Sequence, residues 1–227
     1  SLEILLQCMK DNNSKNIIFS SSCTVYGMPD ILPVDENSPF KKASSPYGET
    51  KQLCEKMLLN NTCNSVSLRY FNPIGSHTSA LIGDCSSDKA SNLVPIITET
   101  VIGKRDKVTV FGNDYKTNDG TCIRDYIHVN DLASAHLLSL KFLDSNKGFH
   151  IFNLGSEKGF SVMEVINECQ KLMETSIKFK IGTKRDGDPD ILIADNKKSI
   201  SKLSWKLEKN SLKSIISSAI NFHKNAL

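Results

Sequence analysis

The sequence predicts an α/β fold in which short parallel strands alternate with helices. Apolar, β-branched segments of strand length alternate along the chain with segments of helical periodicity, and this alternation is typical of parallel sheets. Proline, glycine and capping residues separate the segments and mark their ends. The first strand, over 16–20, runs directly into Ser21 and Ser22. Because ligands gather at the carboxyl ends of parallel strands, these serines mark a candidate site.

The first half of the chain contains two predicted helices and two predicted strands. In order, they are a helix over 2–11, a strand over 16–20, a helix over 46–60 and a strand over 65–70. Ser45 and Pro46 are the predicted N-cap and first-turn proline of the second helix. A loop over 28–45 precedes that helix. The irregular segment over 71–91 is long enough to suggest a function.

The second half has the same alternation. Asn92 is predicted to cap a helix that ends near 102, and Asp131 to begin a helix that ends near 143. Ser161 and Glu164 have the spacing of a capping box. The other predicted elements are strands over 107–111, 149–153 and 177–181, and helices over 162–174, 196–203 and 211–225.

Composition excludes several classes of partner. A formal net charge of +3 with mostly scattered lysines does not predict binding to nucleic acid or to a membrane surface. No apolar run approaches membrane-spanning length, and no cluster of acidic residues and histidines has metal-ligand spacing. The seven cysteines have irregular spacing without a CxxC pair, which predicts free thiols and a cytoplasmic location. They are Cys8, Cys23, Cys54, Cys63, Cys85, Cys122 and Cys169.

The motif with the most chemical content is Tyr47 followed four residues later by Lys51. Residues four apart share one face of a helix, and an ammonium group beside a phenol favours the phenolate. Such a phenol can exchange a proton with a substrate, and a hydroxyl such as that of Ser22 could relay it. The alternative interpretation is a surface helix with a solvated lysine. The serine-ended strand just before the motif favours the catalytic interpretation.

Six blocks of sequence, taken in order, extend over nearly the whole chain. They are FSSSCTVYG over 19–27, SPYGETK over 45–51, LRYFNP over 68–73, VFGNDY over 110–115, DGTCIRDYIHV over 119–129 and NLG over 153–155. Together they resemble the UDP-glucose 4-epimerase family, within the extended short-chain dehydrogenase/reductase superfamily. The first three blocks are shared by many extended reductases, whereas VFGNDY and DGTCIRDYIHV are closer to the galactose epimerases.

The resemblance implies NAD-dependent epimerisation at C4 of UDP-glucose and UDP-galactose through a transient 4-keto sugar. Tyr47 would exchange the proton of the sugar 4-hydroxyl, Ser22 would bridge Tyr47 and the sugar oxygen, and Thr24 would lie nearby. Lys51 would hold the nicotinamide ribose. The implied cofactor is NAD, and its implied contacts are Ser20, Ser22, Tyr47, Lys51, Tyr70 and Phe71.

The resemblance also implies a UDP-sugar site. Its contacts would be Ser22, Tyr47, Asn72, Asn92, Leu93, Val110, Phe111, Arg124, Arg185, Asp188 and Leu192. Two arginines suit a diphosphate, because the guanidinium fork matches phosphate oxygens, and Val110 and Phe111 would line the uracil pocket. Without the resemblance, the simpler interpretation of Arg124 is an ion pair with a neighbour such as Asp125. The simpler interpretation of Phe71 and Phe111 is packing in the core.

Leu192 falls at the family position that gates sugar size. A tyrosine there is associated with plain hexoses and a cysteine with N-acetylated hexoses. Leucine is intermediate, and we expect UDP-N-acetylglucosamine to be handled poorly.

The implied fold is a Rossmann-like parallel sheet, truncated on its N-terminal side, with a smaller C-terminal α/β substrate lobe. Residues 1–150 would form the remainder of the NAD-binding domain, with 72–105 contributing to the substrate lobe, and 151–227 would form most of the UDP-sugar-binding lobe. The active site would lie in the cleft between them. The full-length family member is expected to be a homodimer.

The glycine-rich turn that holds the cofactor pyrophosphate is the main departure from the family. No GxxGxxG or GxGxxG occurs in the sequence, although a dinucleotide-binding fold opens with such a turn. By the resemblance, roughly a hundred residues that contain it would precede Ser1. We therefore expect the isolated chain to bind NAD poorly and to epimerise little.

Two other functions compete with the epimerase. One is a nucleotide-sugar dehydratase or another extended reductase on the same scaffold. Dehydratases usually have acidic residues where this chain has Cys23 and Thr24, which counts against that reading. The other is a non-catalytic module that binds a UDP-sugar and is active only with a partner.

Overall fold

The computed structural model describes residues 1–84 and 90–225, and it has the α/β architecture with parallel strands that the sequence predicts. The helices are α1 Leu2–Asp11, α2 Pro46–Leu59, α3 Leu93–Val101, α4 Val129–Ser145, α5 Val162–Met173, α6 Lys197–Leu203 and α7 Leu212–Asn225. The strands are β1 Asn16–Ser22, β2 Asn64–Tyr70, β3 Asn72–Ile74, β4 Val108–Phe111, β5 Ile123–His128, β6 Phe149–Leu154, β7 Gly159–Ser161, β8 Phe179–Gly182 and β9 Ile191–Leu192.

The first sheet has the order β1-β2-β6, and all of its strands are parallel. Helices α1 and α2 cover one face through Leu6, Met9 and Leu58. The other face carries the apolar residues of β2 and β6 and packs against α4 and the segment around Trp205. Both faces of this sheet are covered, so its open side is the end at which the carboxyl ends of the strands lie.

The remaining strands of the described residues form a four-stranded sheet and a two-stranded sheet. β5 pairs with β3 and β9 in parallel and with β7 in antiparallel, and β4 pairs with β8 in parallel. Helices α3, α5 and α7 share an apolar core with β4 that includes Ile97, Val110, Ile166 and Ile215. Phe71 separates β2 of the first sheet from β3 of the second, so the chain passes between the two sheets at that residue.

Four strands were not predicted from the sequence. β5 is central to its sheet, but it contains the buried polar residues Arg124, Asp125 and His128, which interrupt the apolar pattern that marks a strand. β3, β7 and β9 have only two or three residues each, too few for a periodicity. β1 also extends two residues beyond its predicted end, because Ser21 and Ser22 continue the register with Arg69 and Tyr70.

Two predicted helix starts need correction. α4 begins at Val129 and not at Asp131, because the His128 side chain accepts the backbone N–H of Asn130 at 3.0 Å and acts as the cap. Asn92 holds the N-cap position of α3 but makes no capping bond with its side chain. Its amide instead donates to Asp84 Oδ2 at 3.0 Å. By contrast, the predicted capping box of Ser161 and Glu164 is present at α5.

Six cysteines are free thiols in the part of the chain that the structure describes, and Cys85 lies outside the described residues. In the same part of the chain, no helix combines the length and apolar character needed to cross a membrane. Within residues 1–84 and 90–225, no group of three or more His, Cys, Asp or Glu side chains could hold a metal ion.

Candidate active site

The first turn of α2 presents Tyr47 at the carboxyl end of β1. Ser45 caps the helix by accepting the N–H of Gly48 at 3.1 Å, and Pro46 occupies the first turn. Gly48 lies against the 3₁₀ turn Cys23–Tyr26, where a Cβ would stand 3.1 Å from the Thr24 carbonyl oxygen. This close approach brings the helix start to the end of β1. The Tyr47 side chain is 55% exposed, so its hydroxyl is open to a ligand.

Lys51 lies one helical turn after Tyr47 and joins α2 to β1. Its Nζ donates to the Ser20 carbonyl oxygen at 2.6 Å. The same ammonium lies 5.4 Å from the centre of the Tyr47 ring and 4.8 Å from that of Phe19. Tyr47 and Lys51 are therefore close together, as the sequence predicts. The hydrogen bond from Lys51 to the Ser20 carbonyl, which the sequence motif did not reveal, holds the ammonium group in place.

Ser22 and Thr24 lie where β1 turns into the 3₁₀ turn. Ser22 is buried, and its Oγ accepts the N–H of Thr24 at 3.3 Å. The hydroxyl of Thr24 is buried without a hydrogen-bond partner. Within the described residues, Ser22 makes no hydrogen bond to Tyr47, so a bridge between them would need a third group. A buried hydroxyl without a partner costs free energy unless something bonds to it.

Tyr70 ends β2 beside Ser20 and contacts a histidine that the sequence reading did not single out. The hydroxyls of Ser20 and Tyr70 are 2.8 Å apart, and the Tyr70 hydroxyl also bonds to His136 Nε2 from α4. Burial raises the pKa of Tyr70 and lowers that of His136. Both side chains are therefore neutral near pH 7, and the contact is between an imidazole and a phenol.

Phe71 and Asn72 continue the site from the first sheet into the second. Phe71 is buried and packs in an apolar cluster with Cys23, Tyr26 and Leu192. The Oδ1 atom of Asn72 is buried without a partner. Leu192 thus belongs to the cluster around Phe71, and it is paired with Arg124 in the β5–β9 register.

Eight of the implied substrate contacts line one cavity of about 200 Å³. They are Asn72, Asn92, Leu93, Val110, Phe111, Arg124, Arg185 and Asp188. They come from β3, the start of α3, β4, β5 and the loop after β8. Because Asn72 directly follows Phe71, this cavity adjoins the cluster that packs behind the end of β1.

Arg124 forms its ion pair with Asp188, 64 residues away, and not with its neighbour Asp125. Arg124 Nη1 also donates to the Ile123 carbonyl at 2.7 Å, and Tyr115 donates to Asp188 Oδ2 at 3.1 Å. The reading of an Arg124–Asp125 pair is wrong because successive strand residues point to opposite faces of the sheet.

Asp125 instead holds the turn after β6. Its carboxylate accepts the N–H groups of Ser156, Glu157 and Ala194, and the Ser156 hydroxyl. Burial raises the pKa of Asp125 to about 6, and these hydrogen bonds oppose the rise. The carboxylate is therefore ionised at neutral pH and serves to connect elements.

The second arginine stands over an aromatic ring. The guanidinium carbon of Arg185 lies 4.0 Å from the centre of the Phe111 ring, and Phe111 is partly exposed. The same cavity has wall residues that sequence reasoning missed, including Cys122 and Tyr126. They lie beside Arg124 in the block over 119–129, and knowledge that this block forms a strand would have identified them.

The arrangement combines an accessible phenol beside an ammonium group with a cavity that carries two guanidinium groups. It can exchange a proton at one end and hold an anionic group at the other. Its buried oxygens without partners, on Thr24 and Asn72, lie in the segments that follow β1 and β2.

The chain is similar to a family of known enzymes. Residues 2–155 match the model of the NAD dependent epimerase/dehydratase family. The UDP-glucose 4-epimerase of Homo sapiens is 41% identical over 206 residues, which are 88% of this chain and 59% of that protein. The enzyme of the same name from Halalkalibacterium halodurans is 42% identical over 226 residues, 97% of this chain and 66% of that protein.

Solved structures give the same result. A UDP-glucose 4-epimerase from Bifidobacterium longum in complex with NAD+ and UDP has a TM-score of 0.92 and 38% identity, over 98% of this chain and 67% of that one. A UDP-glucose-4-epimerase from Stenotrophomonas maltophila with bound NAD and formylated UDP-arabinopyranose has a TM-score of 0.92 and 39% identity, with the same coverage. The chain spans about three fifths of the length of the first curated relatives it matches. The resemblance stated from the sequence is confirmed.

Proposed function

Because the chain belongs to the NAD dependent epimerase/dehydratase family, we propose that the protein carrying it epimerises UDP-hexoses at C4, interconverting UDP-glucose and UDP-galactose with NAD as cofactor. The observation that carries this proposal is the placement of Tyr47 and Lys51 at the carboxyl end of β1. The cavity with two arginines supports it from the substrate side.

Tyr47 takes and returns the proton of the sugar 4-hydroxyl. Its exposed hydroxyl can reach a bound sugar, and the ammonium of Lys51 lies 5.4 Å from the centre of its ring. Lys51 is itself held by the Ser20 carbonyl, so its charge stays near the ring. Ser22 and Thr24 complete the hydroxyl-lined end of the strand.

The residues at this end fit the nicotinamide and ribose part of NAD. The hydroxyl of Thr24 and the amide oxygen of Asn72 are buried without partners, which suits a polar ligand. Contacts to the cofactor come from Ser20, Ser22, Tyr47, Lys51, Tyr70 and Phe71. When bound, NAD supplies reversible hydride transfer with the sugar carbon. Phe71, buried in the cluster with Cys23 and Tyr26, backs this surface with an apolar side chain.

The cavity of about 200 Å³ holds the nucleotide diphosphate. Arg185 has no ion-pair partner among the described residues and lies over Phe111, so its charge is available to a phosphate. Arg124 is paired with Asp188, and this ion pair holds its side chain in one position on the cavity wall. The apolar side chains of Val110 and Phe111 suit the uracil ring. Asn72, Asn92 and Leu93 line the remaining wall and complete the contacts.

The position of Leu192 sets an expectation for sugar size. Leu192 is buried against Phe71 and Cys23, so an N-acetyl group on the sugar would meet a filled cluster. We expect UDP-N-acetylglucosamine to turn over at least about tenfold more slowly than UDP-glucose, a discrimination of the size that one apolar contact gives. Equal kcat/KM values for the two substrates would contradict this.

A dehydratase is the second candidate, since the matched family includes dehydratases. Dehydration needs an acid and a base beside the serine strand, where this chain has Cys23 and Thr24. Burial raises the pKa of Cys23 to about 12, so the thiol stays protonated near neutral pH and is a poor general base. This favours the epimerase. A non-catalytic UDP-sugar-binding module is the third candidate.

The domain division, the dimer and the location belong to the same proposal. In this proposal residues 1–150 form the NAD-binding domain, with 72–105 shared, and 151–227 form most of the substrate lobe. Six of the eight contacts assigned to the cavity nevertheless come from residues 1–150, and Arg185 and Asp188 come from 151–227. A homodimer could use the apolar Leu53 of α2, which is exposed. Free thiols on the described cysteines suit a cytoplasmic location.

The test is an assay of the protein with UDP-galactose and NAD, with the products separated by chromatography. We expect UDP-glucose to form without accumulation of NADH. A UDP-4-keto-6-deoxy sugar would identify a dehydratase. UDP-sugar binding that never gives product, with NAD present and with the N-terminal part of a relative added, would favour the module.

A further inference from the structure

The helix that carries Tyr47 and Lys51 rests on the sheet through few apolar contacts. Its buried residues are Gly48, Glu55 and Leu58, and one of these is a carboxylate. The face of β2 beneath it is polar, because Ser65, Ser67 and Arg69 alternate onto it and are all buried. Leu58 packs in a cluster with Ile17, Phe19 and Met57, so apolar packing fixes the end of α2 near Leu58. The buried residues closer to Tyr47 are Gly48 and Glu55, which supply no apolar side chain.

A buried ion pair replaces the missing apolar contacts. Arg69 Nε donates to Glu55 Oε1 at 3.0 Å, and Arg69 Nη2 donates to Oε2 at 2.6 Å. The two side chains are 2% and 1% exposed. The guanidinium carbon also lies 4.7 Å from the centre of the Tyr26 ring and 5.2 Å from that of Phe40. A two-point ion pair stacked on two rings has one preferred geometry.

The same carboxylate is bonded to the catalytic strand. The Ser21 hydroxyl donates to Glu55 Oε1 at 2.5 Å. Ser21 stands between Ser20, whose carbonyl accepts Lys51 Nζ, and Ser22. It is also paired with Arg69 in the β1–β2 register. Glu55 thus connects α2 to both strands at the level of the proposed active site.

Spacing along α2 completes the connection. Glu55 follows Lys51 by four residues and Tyr47 by eight, so all three lie on one face of the helix. A shift of α2 along the sheet would break the bonds of Glu55 and move Tyr47 and Lys51 together. The ion pair therefore sets the register of the helix against β1.

We propose that the Glu55–Arg69 pair, with Ser21, is a positioning device that holds Tyr47 and Lys51 against the end of β1. The role in catalysis rests on the proposed function. Neither residue reaches the candidate site itself, so both act through the helix. Stability alone does not account for the pair, because apolar residues of similar volume often stabilise a core as well as a buried ion pair does.

The first experiment separates positioning from stability by kinetics. Glu55→Gln and the apolar double variant Glu55→Leu/Arg69→Met are compared with Asp131→Asn. Asp131 is also a buried carboxylate, and it lies on α4, on the opposite face of the sheet. It accepts the backbone N–H groups of Glu208 and Lys209. The double variant guards against misfolding, because it leaves no unpaired buried charge.

We expect kcat for UDP-galactose to fall about 10- to 100-fold in both Glu55 variants, the cost of a misplacement near 1 Å, while KM changes by less than about threefold. Asp131→Asn should lower the melting temperature and keep kcat. A double variant that folds and keeps the wild-type kcat would overturn the proposal. So would an equal loss of kcat in Asp131→Asn.

The second experiment needs neither cofactor nor turnover. Hydrogen exchange followed by mass spectrometry compares α2 and β1 with β6 in the same variants. We expect exchange in α2 to accelerate about tenfold or more in the double variant, with β6 unchanged, and no such change in Asp131→Asn. Unchanged protection of α2 would overturn the positioning role even in an active enzyme. A wild-type protein that stays inactive with NAD and with the N-terminal part of a relative added would overturn the proposed function, and the exchange result would still decide the role of the pair.

Discussion

Tyr47 and Arg185 are the single residues on which the proposed chemistry depends most. Tyr47 stands exposed one helical turn from Lys51, and Arg185 lies over Phe111 on the wall of the cavity. Both side chains are exposed. Each can therefore be changed without removing a buried group.

Replacing Arg185 by alanine should weaken UDP binding. A charged hydrogen bond to phosphate contributes about 1.5–3 kcal/mol, so we expect KM for UDP-galactose and Kd for UDP to rise about tenfold or more, with little change in kcat. Lys180→Ala is the matched control, because Lys180 is an exposed cation on β8 outside the cavity. Titration calorimetry with UDP measures both, and equal affinities for the two variants would contradict the assignment.

Residue-level prediction from the sequence succeeded where a motif fixed the local geometry. Ser45, Pro46, Tyr47 and Lys51 lie in the cap and the first two turns of α2, so spacing alone was sufficient. The Arg124–Asp188 pair joins residues 64 positions apart, and no local pattern contains such information. The contact of Tyr70 with His136 was missed for the same reason.

At the scale of elements, His128 joins β5 to α4 and to α7. Its Nδ1 accepts the N–H of Asn130 at 3.0 Å, so Nε2 carries the proton and faces the Ser218 hydroxyl at 2.9 Å. Burial lowers the pKa of His128 below its ordinary value of 6.5. The folded protein therefore prefers the neutral imidazole, whereas the unfolded chain takes up a proton at the ordinary pKa.

The sign of the pH dependence follows. The contribution of His128 to stability is complete above pH 6.5 and is lost as the pH falls through the lowered pKa. We expect the melting temperature of the wild type to fall more between pH 7.5 and pH 5.5 than that of His128→Asn, which keeps a capping acceptor but cannot titrate. Scanning calorimetry at both pH values measures the difference. Parallel curves for the two proteins would contradict the role of His128.

Elements were predictable where they were long and regular. The seven helices were expected within one or two residues of their ends, because caps and periodicity mark them. β5 was missed because Arg124, Asp125 and His128 are buried polar residues with partners elsewhere in the fold. Its strand character comes from its position between β3, β7 and β9.

At the scale of the whole molecule, two sheets meet where β2 passes into β3, and the candidate site follows this junction. The end of β1 and the start of α2 supply the proton-exchanging groups. The cavity between α3, β4 and β5 supplies the cationic and apolar wall. The α/β class and the parallel first sheet followed from the sequence, but the pairing of β4 with β8 did not, because strand order depends on contacts between distant segments.

The isolated 227-residue chain should retain NAD weakly. It has the residues proposed for the nicotinamide half, but its sequence contains no glycine-rich turn for the pyrophosphate. We expect purified chain to release less than about one tenth of an equivalent of NAD on heating, with the pyrophosphate contacts missing. Extracting the denatured protein and measuring NAD enzymatically tests this. Stoichiometric NAD would show that the pyrophosphate is held by other residues.

The central claim is that the Tyr47 hydroxyl exchanges the proton of the sugar, and Tyr47→Phe in the NAD-loaded protein tests it most directly. General acid–base groups contribute about 10²- to 10⁴-fold, so the rate of UDP-glucose formation from saturating UDP-galactose should fall by that factor while the Kd for UDP stays within about twofold. A Tyr47→Phe enzyme that interconverts the two sugars at the wild-type rate would contradict the account.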